Sequence, residues 1–142
     1  MQVQDIMQRQ VSFADPDMTI RDAARRMRAD NIGALLVSQD GRLLGMVTDR
    51  DIVVRAVAEQ GGTGNTSVRD VMSEGVCYCF ETDELGQAAK VMARHQVRRL
   101  PVINDEQQLV GVIALADLGR AGDGAAERAL RGISEPTDTE RR

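Results

Sequence analysis

The chain has 142 residues, of which 42% are apolar and 28% charged, and its formal net charge at pH 7 is −4. This length fits one compact domain or two small halves, and the composition excludes a disordered or membrane-embedded chain. With no Trp, one Tyr and two Phe, the chain offers no row of rings for stacking nucleic-acid bases, and its acidic balance gives no general attraction for phosphate backbones.

The first half of the chain has the pattern of a strand, a helix, a hairpin and a second helix. The Asp40-Gly41 pair favours the hairpin turn, and Thr19 with Asp22 resembles a capping box at a helix start. We predict strands at residues 11–13, 32–37 and 43–47, and helices at residues 19–28 and 49–59.

The second half repeats this order after a glycine-rich linker. Val3-Gln4-Asp5-Ile6-Met7 returns as Val68-Arg69-Asp70-Val71-Met72, and Leu44-Gly45-Met46-Val47 returns as Val110-Gly111-Val112-Ile113. A one-residue difference in spacing places an insertion in the turn at 104–108. We predict strands at residues 76–80, 97–103 and 109–114 and a helix at residues 85–94.

Each half also carries one apolar helix stripe with the i, i+3, i+4, i+7 spacing of a buried face. The two stripes are Ile20, Ala23, Ala24 and Met27, and Leu85, Ala88, Ala89 and Met92. The repeat-related methionines Met7, Met27, Met72 and Met92 are expected in the core. The predicted segments are residues 1–60 (first repeat), 61–67 (linker), 68–124 (second repeat) and 125–142 (C-terminal helix and polar tail).

The C-terminal part begins with a weak helix. Asp117 is followed by Gly119, Gly122 and Gly124, each of which costs a helix up to about 1 kcal/mol relative to Ala, so this helix is expected to end early or kink. Residues 125–131 are expected to form one more helical segment, and residues 135–142 a disordered polar tail.

Four motifs together resemble a pair of CBS domains (the cystathionine β-synthase domain; a pair is called a Bateman module). They are Asp5-Ile6-Met7, residues 45–52, residues 95–102, and Gly111-Val112-Ile113. The resemblance covers about residues 2–120 and is strongest for stand-alone bacterial two-CBS proteins of the hypoxic response protein type. It implies an α/β (α+β) fold in which two β-α-β-β-α repeats, related by a pseudo-twofold axis, leave two clefts for adenosine derivatives.

The resemblance implies that the first cleft joins the start of one repeat's last helix to a strand of the other repeat. There Asp51 would take the ribose hydroxyls and Thr48 a phosphate or ribose oxygen, while Arg98 and Arg99 would reach the phosphates. The other implied lining residues are Val97, Pro101, Val76, Cys77 and Tyr78. A carboxylate can accept both ribose hydroxyls, so these residues suit AMP, ATP or an NAD(H)-like ligand.

The second implied cleft departs from the family pattern. Asp117 matches the ribose-binding carboxylate, but Ala114 stands where the family has a hydroxyl. The facing strand has neither Arg nor Pro, and the residues implied there are Ile32, Gly33, Ala34 and Phe13. We expect weak binding at this second site, or selectivity for another ligand.

Several of these residues also have an interpretation that requires no ligand. Thr48-x-x-Asp51 is an ordinary helix capping box. Adjacent strand residues point to opposite faces, so at most one of Arg98 and Arg99 is expected to touch phosphate. The single histidine, His95, excludes multi-histidine metal sites and is expected at a helix end, where a cation is favoured.

The two cysteines, Cys77 and Cys79, are too close in sequence for an unstrained disulfide and supply only two metal ligands. Buried apolar packing is therefore the favoured interpretation, and no metal site is predicted. A redox or metal responder that uses both thiols is the alternative.

The sequence thus predicts a regulatory sensor of an adenosine-containing small molecule, with no required cofactor, and not an enzyme, because no nucleophile and base pair is recognisable. The resemblance implies a homodimer that acts on an unknown protein target; nucleic-acid and membrane partners are not expected. The first residues lack a secretion signal, so a cytoplasmic location is expected. A ligand-free assembly module, whose helices serve homodimerisation and whose clefts are vestigial, is the other alternative.

Overall fold

The computed structural model describes residues 1–58, 65–122 and 124–135. These residues form two compact units, which we call the central unit and the split unit. The central unit consists of the described residues of Ser12–Val76, and the split unit combines Met1–Val11 with the described residues from Cys77 onward. Each unit has its own small sheet and its own apolar core, in agreement with the mixed α+β class predicted from the sequence.

The central unit contains a four-stranded sheet in the order β1-β2-β3-β4. Strand β1 is parallel to β2, and the other pairs are antiparallel. Its elements in chain order are β1 (Phe13–Ala14), α1 (Ile20–Asp30), β2 (Ala34–Gln39), β3 (Arg42–Thr48), α2 (Asp49–Asp51), a π-helix (Ile52–Ala58), α3 (Val68–Val71) and β4 (Ser73–Glu74).

The split unit contains a three-stranded sheet in the order β5-β6-β7, with β5 parallel and β7 antiparallel to β6. A 3₁₀ turn at Val3–Asp5 opens the chain. The remaining elements are β5 (Cys79–Phe80), α4 (Leu85–His95), β6 (Arg99–Ile103), β7 (Leu109–Ala114), α5 (Leu115–Ala121) and α6 (Ala125–Ile133).

The repeated Val-x-Asp motif has one structural role in both units. Asp5 accepts a hydrogen bond from the backbone N–H of Gln2 at 2.8 Å, and Asp70 accepts one from the N–H of Ser67 at 3.3 Å. Each aspartate thus caps a short helical turn whose valine is fully buried. The motif therefore anchors the opening segment of each repeat to an apolar core. We use this name for residues 2–8 in the first repeat and residues 67–74 in the second.

The repeated glycines mark the places where these opening segments cross a strand. A methyl group on Gly45 would lie 2.3 Å from the carbonyl oxygen of Ser73, and one on Gly111 would lie 2.8 Å from that of Gln8. Gly45 pairs with Glu74, and Gln8 exchanges two backbone hydrogen bonds with Val112, each 2.9 Å long. Only glycine fits where two backbones approach this closely.

The predicted apolar stripes differ in outcome. All four residues of the α4 stripe are buried, and so are three of the α1 stripe, but Ala24 is exposed, and its predicted burial is wrong. Helix α6 packs against α4 so closely that a methyl group on Gly132 would lie 2.3 Å from the Cβ of Ala93. This packing widens the buried face of α4. Of the core methionines, Met72 is only half-buried.

Several predicted boundaries need correction, although the order of elements is confirmed. Strand β1 starts at Phe13 and not at Val11, β2 at Ala34 and not at Ile32, β5 at Cys79 and not at Val76, and β6 at Arg99 and not at Val97. The residues just before β2 and β6 complete the end of a helix and do not extend the strand, because the N–H groups of Ile32 and Val97 each donate to a carbonyl of the preceding helix. The hairpin turn at Asp40-Gly41 is confirmed, both residues having positive φ.

The helix predicted at 49–59 is α-helical only in its first turn and continues as a π-helix to Ala58; Glu59 lies outside the described residues. At Thr19 only half of the predicted capping box is present, the hydroxyl accepting from the N–H of Asp22 at 3.1 Å. Helix α5 ends early, as predicted, with Gly122 left-handed at φ 71°. The tail predicted at 135–142 lies outside the described residues except for Glu135.

The elements missed from the sequence are short: the 3₁₀ turn, α3 and β4. His95 is the last residue of α4, as predicted. None of the helices in the described ranges is long and apolar enough to traverse a lipid bilayer.

Candidate functional site

The best-defined polar group in the central unit is the start of α2. The hydroxyl of Thr48 accepts a hydrogen bond from the N–H of Asp51 at 3.0 Å, and Oδ2 of Asp51 accepts one from the N–H of Thr48 at 2.9 Å. This reciprocal pair is the capping box expected from the spacing. It fixes the carboxylate and leaves the other oxygen, Oδ1, facing away from the cap.

A cation stands near that second oxygen without binding it closely. The Nε of Arg55 is 3.9 Å from Oδ1 of Asp51, beyond hydrogen-bond length. The guanidinium also donates to the carbonyls of Val71 and Met72 at 3.1 and 3.2 Å, which hold it at the end of α3. The side chain of Asp51 is 15% exposed. Oδ1 accepts no hydrogen bond from a described residue, so it keeps the capacity to accept one from a ligand.

The corresponding group in the split unit is arranged differently. Oδ2 of Asp117 accepts from the N–H of Ala114 at 2.8 Å, so the carboxylate half of the cap persists although alanine supplies no hydroxyl. Its Oδ1 accepts directly from the guanidinium of Arg120. The side chain of Asp117 is only 1% exposed, whereas that of Arg120 is 68% exposed. Sequence reasoning missed Arg120 and Arg55, although cations three or four residues after a helical carboxylate are a readable signal.

The predicted phosphate-binding arginines lie at the start of β6. Arg98 and Arg99 are both exposed, and Arg99 pairs with Ala114 of β7. The carbonyl of Arg98 accepts from the N–H of Leu115 at 2.8 Å, which holds this segment against the start of α5. Val97 is half-buried and Pro101 is buried within β6.

The predicted lining residues Val76, Cys77 and Tyr78 lie just before β5. Val76 and Cys77 are half-buried and Tyr78 is exposed. The ring of Tyr78 packs edge-to-face on Phe80, with 5.6 Å between ring centroids. These two rings form an exposed apolar surface of the split unit.

The residues implied for the second cleft lie mostly on the surface of the central unit. Gly33, Ala34 and Phe13 are exposed, and Ile32 is half-buried. The carbonyl of Gly33 accepts from the N–H of Asp49 at 2.9 Å, the counterpart of the contact between Arg98 and Leu115. A methyl group on Gly33 would come within 3.1 Å of the Asp49 carboxylate, so a larger residue would crowd the start of α2.

The structure therefore brings together Thr48 with Asp51 in the central unit, and Ala114 with Asp117 in the split unit. Each predicted cleft draws residues from both units, Asp51 from the central one and Arg98 from the split one, for example. The convergence of those two sets on one ligand stays a prediction.

The duplicated architecture has a direct counterpart among known families. The family model of the CBS domain matches residues 3–57 and again residues 68–123. The chain belongs to the CBS-domain family. It is a CBS pair, as the motifs predicted.

Two relatives of this CBS pair cover most of its length. CBS domain-containing protein YhcV of Bacillus subtilis is 42% identical over 134 residues, which is 93% of this chain and 94% of the relative. Hypoxic response protein 1 of Mycobacterium tuberculosis is 37% identical over 117 residues, 82% of this chain and 81% of the relative. The predicted likeness to the hypoxic response type is thereby confirmed.

Solved structures show the same fold. Hypoxic Response Protein I with two coordinated zinc ions matches with a TM-score of 0.72 and 37% identity, over 84% of this chain and 98% of that one. CBSX2 in complex with AMP matches with a TM-score of 0.71 over 84% of this chain and 94% of that one. At 23% identity, the likeness to CBSX2 shows the fold alone.

The two thiols of this CBS pair are poorly suited to redox or metal chemistry. Burial, together with the charges of Asp83 and Cys77, raises the pKa of Cys79 to about 12, and burial raises the pKa of Cys77. Thiolates are the reactive and metal-binding form, so both shifts disfavour that role. Cys79 is buried as predicted, but Cys77 is only half-buried. No group of three or more His, Cys, Asp or Glu residues in the described ranges is arranged to hold a metal ion.

At pH 8 we expect Cys79 to be alkylated by iodoacetamide about ten- to a hundredfold more slowly than an unhindered thiol. Its pKa, raised to about 12 from the ordinary value of 9.0, lowers the thiolate fraction, and the greater nucleophilicity of a more basic thiolate offsets part of this loss. Peptide mass spectrometry that distinguishes alkylation at Cys79 from alkylation at Cys77 measures this rate and leaves both thiols in place. In urea, where the chain is unfolded, Cys79 should be alkylated as fast as an unhindered thiol. Equal rates in buffer and urea would show that Cys79 is not protected by the fold.

Proposed function

We propose that this CBS pair is a regulatory module that binds an adenosine-bearing ligand, such as AMP, ATP or NAD(H), and acts in the cytoplasm on a protein partner without catalysing a reaction. The observation that carries the proposal is the carboxylate of Asp51. One of its oxygens is fixed by the cap at Thr48, while the other accepts no hydrogen bond from a described residue and lies 3.9 Å from the Nε of Arg55. A carboxylate held in this way can accept hydrogen bonds from vicinal hydroxyls.

The fold supports this ligand class. CBSX2, which shares the fold, was solved with AMP bound. Because that likeness shows the fold alone, the choice of ligand for this chain rests on its own residues: a ribose acceptor at Asp51 and an exposed aromatic pair at Tyr78 and Phe80. An apolar ring surface suits a base, and a carboxylate suits a sugar.

The two exposed arginines suit the phosphate end of a nucleotide. Arg98 immediately precedes β6 and Arg99 is its first residue. The motif predicts both beside the phosphates, and neither forms an ion pair with another described residue. Guanidinium groups bind phosphate oxygens through charge-assisted hydrogen bonds. We therefore expect AMP to bind more tightly than adenosine.

Isothermal titration of the purified chain with adenosine, AMP, ATP and NADH tests the proposal, with GMP as the control for non-specific phosphate binding. We expect at least one adenosine-bearing ligand to bind at millimolar concentration or below and GMP to bind at least tenfold more weakly. The absence of heat and of a thermal shift with all four ligands would contradict the proposal and leave the assembly module as the better interpretation.

A homodimer is part of the proposal, supported by the apolar surface of the π-helix. Val53 and Val57 are 59% and 56% exposed and lie one turn apart, with Val54 beside them. Contiguous exposed apolar residues are typical of an interaction surface.

We expect Val53→Asp/Val57→Asp to convert a dimer to a monomer, measured by light scattering after gel filtration. Gln39→Asp, which adds a charge at an exposed hairpin end, should leave the dimer intact. A monomeric wild-type chain would contradict this part.

A further inference from the structure

The two Thr/Ala-x-x-Asp groups differ in what neutralises the carboxylate. In the central unit the nearby cation is Arg55, four residues after Asp51, and its guanidinium is shared with two backbone carbonyls. In the split unit the cation is Arg120, three residues after Asp117, and its guanidinium donates directly to the oxygen that the cap leaves free. Oδ1 therefore accepts a hydrogen bond from the guanidinium in the split unit, whereas in the central unit it accepts none from a described residue.

The carboxylates of Asp51 and Asp117 also differ in burial. The carboxylate side chain of Asp117 is 1% exposed, against 15% for Asp51. Its two oxygens already have partners, the N–H of Ala114 and Arg120. Because the side chain is only 1% exposed, a ribose hydroxyl would have to displace the guanidinium and exchange an ion-paired hydrogen bond for one from a neutral donor.

We propose that Arg120 is a specificity-determining residue that closes the second predicted ligand site by pairing with Asp117, so that the chain binds one adenosine-bearing ligand, at Asp51. This inference rests on the proposed function. The ion pair acts in addition to the missing hydroxyl, Arg and Pro, from which weak binding at this site is already expected. The ion pair that closes the site lies within a single unit, since Ala114, Asp117 and Arg120 all belong to the split unit.

Removing Arg120 should therefore open the second site. The experiment counts bound adenosine by native mass spectrometry and measures affinity by titration. Adenosine is used because it has no phosphate, so the loss of a positive charge cannot weaken binding through the phosphate. An Asp51→Asn background weakens the first site, which makes any restored binding attributable to the second.

We expect one adenosine on the wild-type chain, none on Asp51→Asn at the same concentration, and one again on Asp51→Asn/Arg120→Ala, with at least a tenfold gain in affinity over Asp51→Asn. Because the alanine variant leaves a buried carboxylate with one partner and can lose stability, Arg120→Met, which keeps the aliphatic stem, is measured in the same background. Arg94→Ala in that background removes an exposed charge elsewhere, on α4, and should restore nothing.

Other outcomes overturn the inference. Two adenosines on the wild-type chain would show that the second site is open. One on the wild type, with none on folded Arg120→Ala and Arg120→Met double variants, would leave the proposed function standing and remove the role of Arg120. A loss of AMP affinity in the single Arg120→Met variant would make Arg120 a phosphate ligand instead. No adenosine on any variant, the wild type included, would end the proposed function and this inference together.

Discussion

Replacing Asp51 by asparagine is expected to weaken the binding of AMP and adenosine by about ten- to a hundredfold, the range that corresponds to about 1.5–3 kcal/mol for a hydrogen bond to a charged group. The substitution removes the charge but keeps an oxygen that can accept from the N–H of Thr48, as Oδ2 does at 2.9 Å. Stability should therefore change little. Isothermal titration gives the affinity, and thermal unfolding shows whether the fold is intact.

The chain contains a matched control for this substitution. Thr19 and Asp22 have the same spacing at the start of α1, where the hydroxyl of Thr19 accepts from the N–H of Asp22, but no ligand is predicted there. Asp22→Asn should leave affinity unchanged. Equal affinity for the wild type and Asp51→Asn would mean that Thr48 and Asp51 form only a helix cap and would remove the basis of the proposed function.

The duplicated order of elements was predictable because repetition multiplies weak signals. A single Val-x-Asp turn or a single strand glycine has many explanations, but here both return with the same chemistry. Asp5 and Asp70 cap equivalent turns, and Gly45 and Gly111 are crossed by equivalent segments. A pattern of residues that each solve the same local problem twice points to one fold used twice.

The repeat in the sequence does not show which half of the chain forms the apolar core around a given residue. The sequence shows that Val3 and Val68 are equivalent, and both are fully buried. It does not show that Val3 joins the apolar core of the later residues, or that Val68 joins that of the earlier ones. Such an exchange depends on long-range packing, which local residue patterns do not encode.

Side-chain pairing and non-repeated elements account for the other differences. Ala24 and Ala89 occupy equivalent places, but only Ala89 is buried. Ala89 shares an apolar core with Ala125 and Ala129 of α6, a helix that has no counterpart among the described elements of the central unit. Likewise Asp51 and Asp117 match in sequence, whereas their state depends on where the neighbouring guanidinium is held. The cation comes four residues after Asp51 but three residues after Asp117, and only Arg120 donates a hydrogen bond to Oδ1 of its carboxylate.

Gly45→Ala is expected to destabilise the chain by about 1–3 kcal/mol, the usual cost of forcing an extra methyl group into a packed site. The new Cβ would lie 2.3 Å from the carbonyl oxygen of Ser73, and a backbone atom cannot turn aside as a flexible side chain can. Relief requires β4 to move away from β3, which breaks the pairing of Gly45 with Glu74. Urea unfolding measures the loss of stability.

Gly86→Ala separates this steric effect from the general consequence of replacing glycine. Gly86 lies in α4, and a methyl group there would meet only the guanidinium of Arg128, at 3.8 Å. Alanine lowers the entropy of the unfolded chain, so this variant should gain about 0.5–1 kcal/mol. Hydrogen exchange should accelerate at residues 73–74 in Gly45→Ala and not in Gly86→Ala. If both variants gained stability alike, the opening segment would not lie against β3, and the repeated glycine would have no structural role.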